Sequence, residues 1–125
     1  MSQTFIISSH LADRAGPHHD LYLQESDMSY LAWAIPKGFP LTPREKRLAI
    51  KVASHSIEAA NFEGEIEEGY GKGTKEIWDE GTYIPYQHII APKPVRIDFF
   101  GSKIHGTYYL KHWADKRWLI WREAK

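Results

Sequence analysis

The sequence has no cysteine, only two methionines and no excess of either charge. The missing cysteine excludes disulfides, thiol nucleophiles and thiolate metal sites together. It also fits a reducing, cytoplasmic setting. No apolar run approaches the roughly 20 residues of a membrane span or the core of a signal peptide. The opening MSQTFIISSH is short and polar and reads as a first strand, so no membrane partner is expected. Lys and Arg together number 16, as do Asp and Glu, so no global field recruits nucleic acid or a membrane surface. A local basic groove on a neutral protein is still compatible with that balance. Repeats, linkers and low-complexity segments are also missing, so residues 1–125 read as a single domain.

What is present is core-forming material. Hydrophobic residues make up 42% and aromatics 14% of 125 residues, enough to bury a real core. Charge is segregated: acidic residues gather in EGEIEEGYG (63–71), basic ones in PREKRLAIK (43–51) and near the C-terminus. Alternation dominates the pattern. HHDLYLQ puts His18, Asp20, Tyr22 and Gln24 on one strand face and His19, Leu21 and Leu23 on the other. SYLAWAIPKG continues as an apolar strand closed by Pro36 and Gly38. In RLAIKVASH, Leu48, Ile50 and Val52 share one face, and Arg47, Ala49, Lys51, Ala53 and His55 the other. A helix is the competitor here, because Thr42 and Glu45 resemble a capping box. The preferred reading is a helical turn at 43–46, a strand at 47–53 and a short helix around 56–61. Four glycines punctuate 64–73, KEIWDEGTY reads as a strand with a turn at Asp79–Gly81, and VRIDFFGSKIHGTYYLKHW as a hairpin. RWLIWREAK supplies a last strand. Seven or eight short strands with one or two short helices indicate a mainly β fold, a compact antiparallel barrel or sandwich.

Two constellations carry possible chemistry. His18 and Asp20, two apart on a strand, point the same way about 6–7 Å apart. His10 lies across the ADRAGP turn and supplies a third ligand if the two strands pair. Two histidines and a carboxylate make an open metal set suited to Mn, Fe, Co or Zn more than Mg. The alternative is a hydrated turn bearing incidental histidines. Lys37, Arg47 and His55 form the second group, three cations suited to a phosphate if they face one groove, or else a solvated basic face. His88, His105 and His112 lie in aromatic strand contexts and read as packing or surface residues. WDEG (78–81) reads as turn chemistry.

Taken in order, H…HxD, WAIPKG, KRLAIKV, His55, FEGEI, GYGKGT, IWDEGTY and GSKIHGTYYL resemble the 3′-phosphoesterase domain of bacterial DNA ligase D, a family that includes stand-alone versions. The resemblance runs from about residue 5 to residue 122. It implies a compact β-barrel and a metal-dependent end-healing enzyme, typically manganese-dependent, with Zn2+ or Co2+ as other candidates. Such an enzyme trims a 3′-terminal ribonucleotide to a 3′-phosphate, then removes that phosphate to expose a 3′-OH. It implies His10, His18 and Asp20 as metal ligands, and Lys37, Arg47 and His55 as phosphate-contacting and catalytic groups. Nucleic-acid 3′ ends are the implied partner, with a separate ligase or polymerase acting in trans. The chain also departs from the family. Seven residues separate His10 from His18, two more than the usual spacing. The active-site Arg two positions after the Asp is Tyr22, a substrate-binding position; the Tyr four positions after His55 is Ala59; and a Gln before the first ligand is Ser8. An active enzyme with altered specificity, a non-catalytic accessory that binds metal and ends, and a barrel acting on an unrelated small phosphoester are the resulting alternatives.

Overall fold

The computed structural model describes residues 3–69, 71–89 and 93–124. Met1 and Ser2 of the expected first strand, Tyr70 of GYGKGT and Lys125 of the last strand lie outside the described residues. The alternating segments form β1 (Gln3–Ala12), β2 (Gly16–Ser26), β3 (Ser29–Ile35), β4 (Arg47–Ser56), β5 (Gly64–Ile66), β6 (Gly73–Pro85), β7 (Val95–Gly101), β8 (His105–Ala114) and β9 (Arg117–Arg122), with α1 (Ile57–Asn61) between β4 and β5. The ring β1-β2-β3-β4-β9-β8-β7-β6 closes through an antiparallel β1–β6 pairing, and β5 adds to β6 outside it. The result is the expected antiparallel barrel, with closure leaving no free edge in the eight-stranded ring.

Alternation then sorts the side chains. Inward residues, among them Phe5, Ile7, Leu21, Trp33, Ile35, Ile97 and Phe99, fill the barrel. Phe99 is the hub, with Phe5 at 4.9 Å, Tyr108 at 5.5 Å and Phe39 at 5.6 Å, each edge-on. Each such ring contributes roughly 1.5–3 kcal/mol of burial. A second, smaller cluster lies outside the barrel wall: Ile6, Tyr22, Tyr30, Ala32 and Ala60, with Ile57 and Ile77 against it. It explains α1. A five-residue helix cannot hold itself, so Ala60 and Ile57 dock it on this outer cluster, while Ser56 Oγ caps it by accepting the Ala59 N–H at 3.1 Å. Among the described residues no helix is long and apolar enough to cross a membrane.

Three local expectations are corrected. Residues 43–46 make no helix. Thr42 O accepts the Glu45 N–H at 3.1 Å, and Glu45 Oε1 takes the N–H groups of Leu41 and Thr42 at 2.6 and 3.2 Å. The carboxylate thus satisfies the donors a helix start would leave open, and the chain passes directly into the ladder at Arg47↔Ile120. Nor is Asp79–Gly81 a turn, because β6 runs through it. Asp79 is buried instead and accepts the N–H groups of Ser102, Lys103 and Ile104 at 2.7–3.0 Å, tying down the β7–β8 connection. Gly81 passes so close to the Phe100 carbonyl that a Cβ would lie 2.1 Å from the oxygen. The third correction concerns β4, which extends to Ser56 and does not keep one parity. Ala32 pairs with Val52 but Tyr30 pairs with His55, so three steps on β4 match two on β3. That bulge turns His55 to the outer face with Ile50 and Val52, away from the face of Arg47 and the fully buried Ala49.

Candidate active site

The site is built on the outer face of β1–β4. In the β1–β2 ladder His10 stands directly opposite His18, and Ser8 opposite Asp20. Alternation therefore turns His10, His18 and Asp20 to one side, with the two imidazole centres 4.6 Å apart. Asp20 bridges them: Oδ2 lies 2.9 Å from His10 Nδ1, and Oδ1 lies 3.1 Å from His18 Nε2. The remaining ring nitrogens are fixed by backbone carbonyls, His10 Nε2 at 2.8 Å from Gly71 O and His18 Nδ1 at 3.1 Å from Gly16 O. A carbonyl only accepts, so the outer nitrogen of each ring carries the proton. In a neutral ring the inner nitrogen then presents a lone pair to a carboxylate oxygen. Either an added proton or a cation must stand between them. The donor atoms of all three residues lie within 4.8 Å of one another. Two imidazoles with tautomers set by outer carbonyls, converging on one carboxylate, fit a divalent metal.

The electrostatics agree. Donating a hydrogen bond to Asp20 raises the His18 pKa above its ordinary value, against the opposing effect of burial. Burial alone would raise Asp20, but its contacts with His18 and His10 outweigh it and hold the carboxyl below the usual range. The phenol of Tyr22 is pushed up by burial and then by the Asp20 charge, so it stays neutral.

Beside the cluster opens a cavity of about 600 Å³, whose polar side is His10, His18, Asp20, Tyr22 and His55. Its apolar wall comes from Ala32, Ala34, Ile50 and Val52 of β3 and β4. His55 Nδ1 lies 3.0 Å from Ala53 O and its ring 5.1 Å from Tyr22, so Nε2 is the nitrogen left for other partners. The structure thus brings together five of the residues singled out in the sequence. It does not bring Lys37 or Arg47 into the cavity lining. Lys37 is exposed in the turn that follows the cavity-lining Pro36. Arg47 sits on the other face of β4, with Nη2 at 3.3 Å from Glu45 Oε2. His19 points inward, accepts the Phe39 N–H at 2.9 Å and packs 4.7 Å from Trp78. His105 packs on Phe100 and His112 on Trp118, as their aromatic contexts suggested.

Three contributors escaped the sequence reading. The carbonyls of Gly16 and Gly71 left no side-chain signal, although a Cβ on Gly71 would lie 3.3 Å from the His10 ring, which favours glycine there. Lys75 is the third. Its one signal was a lysine sharing a strand face with Ile77, and Nζ lies 2.6 Å from Tyr22 Oη.

A β-barrel bearing an open two-histidine, one-carboxylate site beside a further histidine defines the general class. The family model for the DNA ligase D 3′-phosphoesterase domain matches residues 8–112, and the chain belongs to that family. Relatives include the multifunctional non-homologous end joining DNA repair protein LigD of Mycobacterium tuberculosis, 39% identical over 122 residues, covering 95% of this chain and 16% of the relative. The LigD proteins of Mycolicibacterium smegmatis (34% over 128 residues, 94% and 16% covered) and Pseudomonas aeruginosa (42% over 110 residues, 85% and 13% covered) are also similar. The chain spans 13–16% of the length of these relatives.

Proposed function

We propose that the chain is a divalent-metal-dependent phosphoesterase that heals nucleic-acid 3′ ends in end-joining repair, with Mn2+ the first choice of metal. The observation that carries this reading is the convergence of His10, His18 and Asp20 lone pairs beside the His55-lined cavity, in a chain of the 3′-phosphoesterase family. When bound there, a divalent metal supplies Lewis-acid stabilisation of phosphoryl charge. Asp20 and the two imidazoles hold it, and the Gly16 and Gly71 carbonyls keep the rings aimed. His55 is the group that delivers a proton to the leaving oxygen from Nε2. Tyr22, neutral and buried, donates its hydroxyl to a non-bridging oxygen. The small side chains of Ala32 and Ala34 leave room for the terminal sugar. Lys37 acts from the rim as an outer cation for the incoming strand. Arg47, committed to Glu45 on the other face of β4, receives no contact with the reacting phosphate here. Ligation or synthesis at the healed end falls to ligase and polymerase activities.

The test is direct. Purified protein with Mn2+ releases inorganic phosphate from a duplex primer ending in a 3′-phosphate, or trims a 3′-terminal ribonucleotide. Asp20→Ala loses both metal uptake, read by elemental analysis, and product. A wild-type protein that binds metal yet yields no product with Mn2+, Co2+ or Zn2+ overturns the enzymatic reading and leaves that of an end-binding accessory.

A further inference from the structure

One lysine is buried against the outer cluster. Lys75, on β6, is only 6% exposed and stands opposite His10 in the β1–β6 ladder. Its Nζ donates to Tyr22 Oη at 2.6 Å and to Ala59 O at 3.1 Å, and lies 4.5 Å from the Tyr22 ring centre. Among the described residues no carboxylate lies within the 4.0 Å ion-pair distance of this ammonium. A buried cation on two neutral oxygens is costly unless an anion compensates it. Burial lowers the Lys75 pKa and the Asp20 charge opposes it, and Asp20 is also the one carboxylate of the candidate metal cluster. A metal there leaves two positive centres sharing a single carboxylate. An arriving anion completes the balance.

We propose that Lys75 is the positioning residue that turns this metal centre into a phosphate site, acting through Tyr22. Its ammonium occupies the phenol's acceptor side, so the Tyr22 O–H must point away from Lys75, and it polarises that O–H into a stronger donor. Tyr22 and Asp20 line the same cavity, so with a phosphoester bound there the hydrogen turned away from Lys75 serves a non-bridging oxygen. Ala59 makes the arrangement possible, because its backbone carbonyl anchors Nζ and its side chain is a bare methyl. The cation thus comes from β6 although the phenol comes from β2.

This inference rests on the phosphoesterase reading, and the experiment separates the two. Inorganic phosphate is titrated calorimetrically into Mn2+-loaded wild type, Lys75→Met, Lys75→Arg and Tyr22→Phe, with Mn2+ affinity measured separately on each apo protein. Wild type binds phosphate only when metal-loaded. Lys75→Met binds it roughly tenfold or more weakly, the scale of one charge-assisted hydrogen bond, yet binds Mn2+ at least as tightly because a positive neighbour is gone. Lys75→Arg recovers most of the phosphate affinity. Should Lys75→Met fail to fold, Tyr22→Phe carries the test with the same expected loss. Unchanged phosphate affinity in Lys75→Met (or in Tyr22→Phe where that variant stands in), or equal losses of phosphate and Mn2+, overturns the role of Lys75 alone. A metal-loaded wild type that binds no phosphate overturns the phosphoesterase reading with it.

Discussion

On the proposed reading, removing the metal reverses the way stability depends on pH. Within the apo cluster two groups contribute to the slope, while the half-buried His19, lowered from 6.5, acts in the opposite sense to His18. His18 is raised above its ordinary 6.5, so its contribution is complete below that value and is lost as pH rises through its folded pKa. Asp20 is lowered from 3.8, so its contribution is present above that value and is lost as pH falls through its folded pKa. Apo stability from this cluster is therefore greatest between these limits and declines as pH rises above 6.5 through the folded His18 pKa. Metal binding has the opposite slope, because the cation displaces the His18 proton. Below the folded His18 pKa, each pH unit lost weakens apparent metal affinity about tenfold, or about 1.4 kcal/mol, for that proton alone. Near pH 8, with free Mn2+ at a hundred times Kd, binding adds about 2.7 kcal/mol. At about 4 °C per kcal/mol for a chain of this size, that is a shift of about 11 °C. The assay is a pair of thermal melts, one with chelator and one with Mn2+, at half-unit steps from pH 6 to pH 8. The gap between them widens as pH rises, and Asp20→Asn collapses it. A gap that is constant or shrinks with pH would show that no proton is exchanged for metal at His18.

Two further outcomes probe the rest of the site. His55→Ala lowers kcat on a 3′-phosphate substrate by about a hundredfold or more, the range for a positioned proton donor, while Mn2+ uptake and the metal-induced melting shift stay at wild-type values; an undiminished kcat removes His55 from the chemistry. Tyr22→Arg does not improve the enzyme, because it loses the 2.6 Å bond to Lys75 and sets a guanidinium against a buried ammonium. It lowers stability by about 2 kcal/mol, read as a lower Tm with no gain in rate, and a more stable, faster variant would mean that Lys75 readily moves aside.

Much of this was legible in the chain because strand geometry has a period of two. Knowing that HHDLYLQ is a strand is enough to put His18, Asp20 and Tyr22 together and His19 against the core. The short ADRAGP connection is enough to bring His10 alongside if the strands pair, and they pair in register. Absent cysteine, dense aromatics and repeated alternation likewise pointed to an antiparallel barrel or sandwich without thiol chemistry, and the family resemblance chose the barrel. Parity also caused the main error. One bulge facing Tyr30 and Ala32 sends His55 to the side of the candidate metal cluster and leaves Arg47 on the other, and nothing in RLAIKVASH marks where alternation slips.

The sequence by itself determined the candidate ligand types, the strand that carries two of them and the family, because these depend on residue identity and on neighbours a few positions away. The tertiary structure alone decided which groups surround them. Barrel closure sets β6 against β1, which brings Lys75 to a phenol 53 positions away. The same closure, with α1 docked outside the wall, leaves the Gly71 carbonyl on His10 and the Ala59 carbonyl on Lys75. Backbone oxygens have no letter in a sequence, and a lysine's charge takes its meaning from the low-dielectric surroundings that folding builds around it.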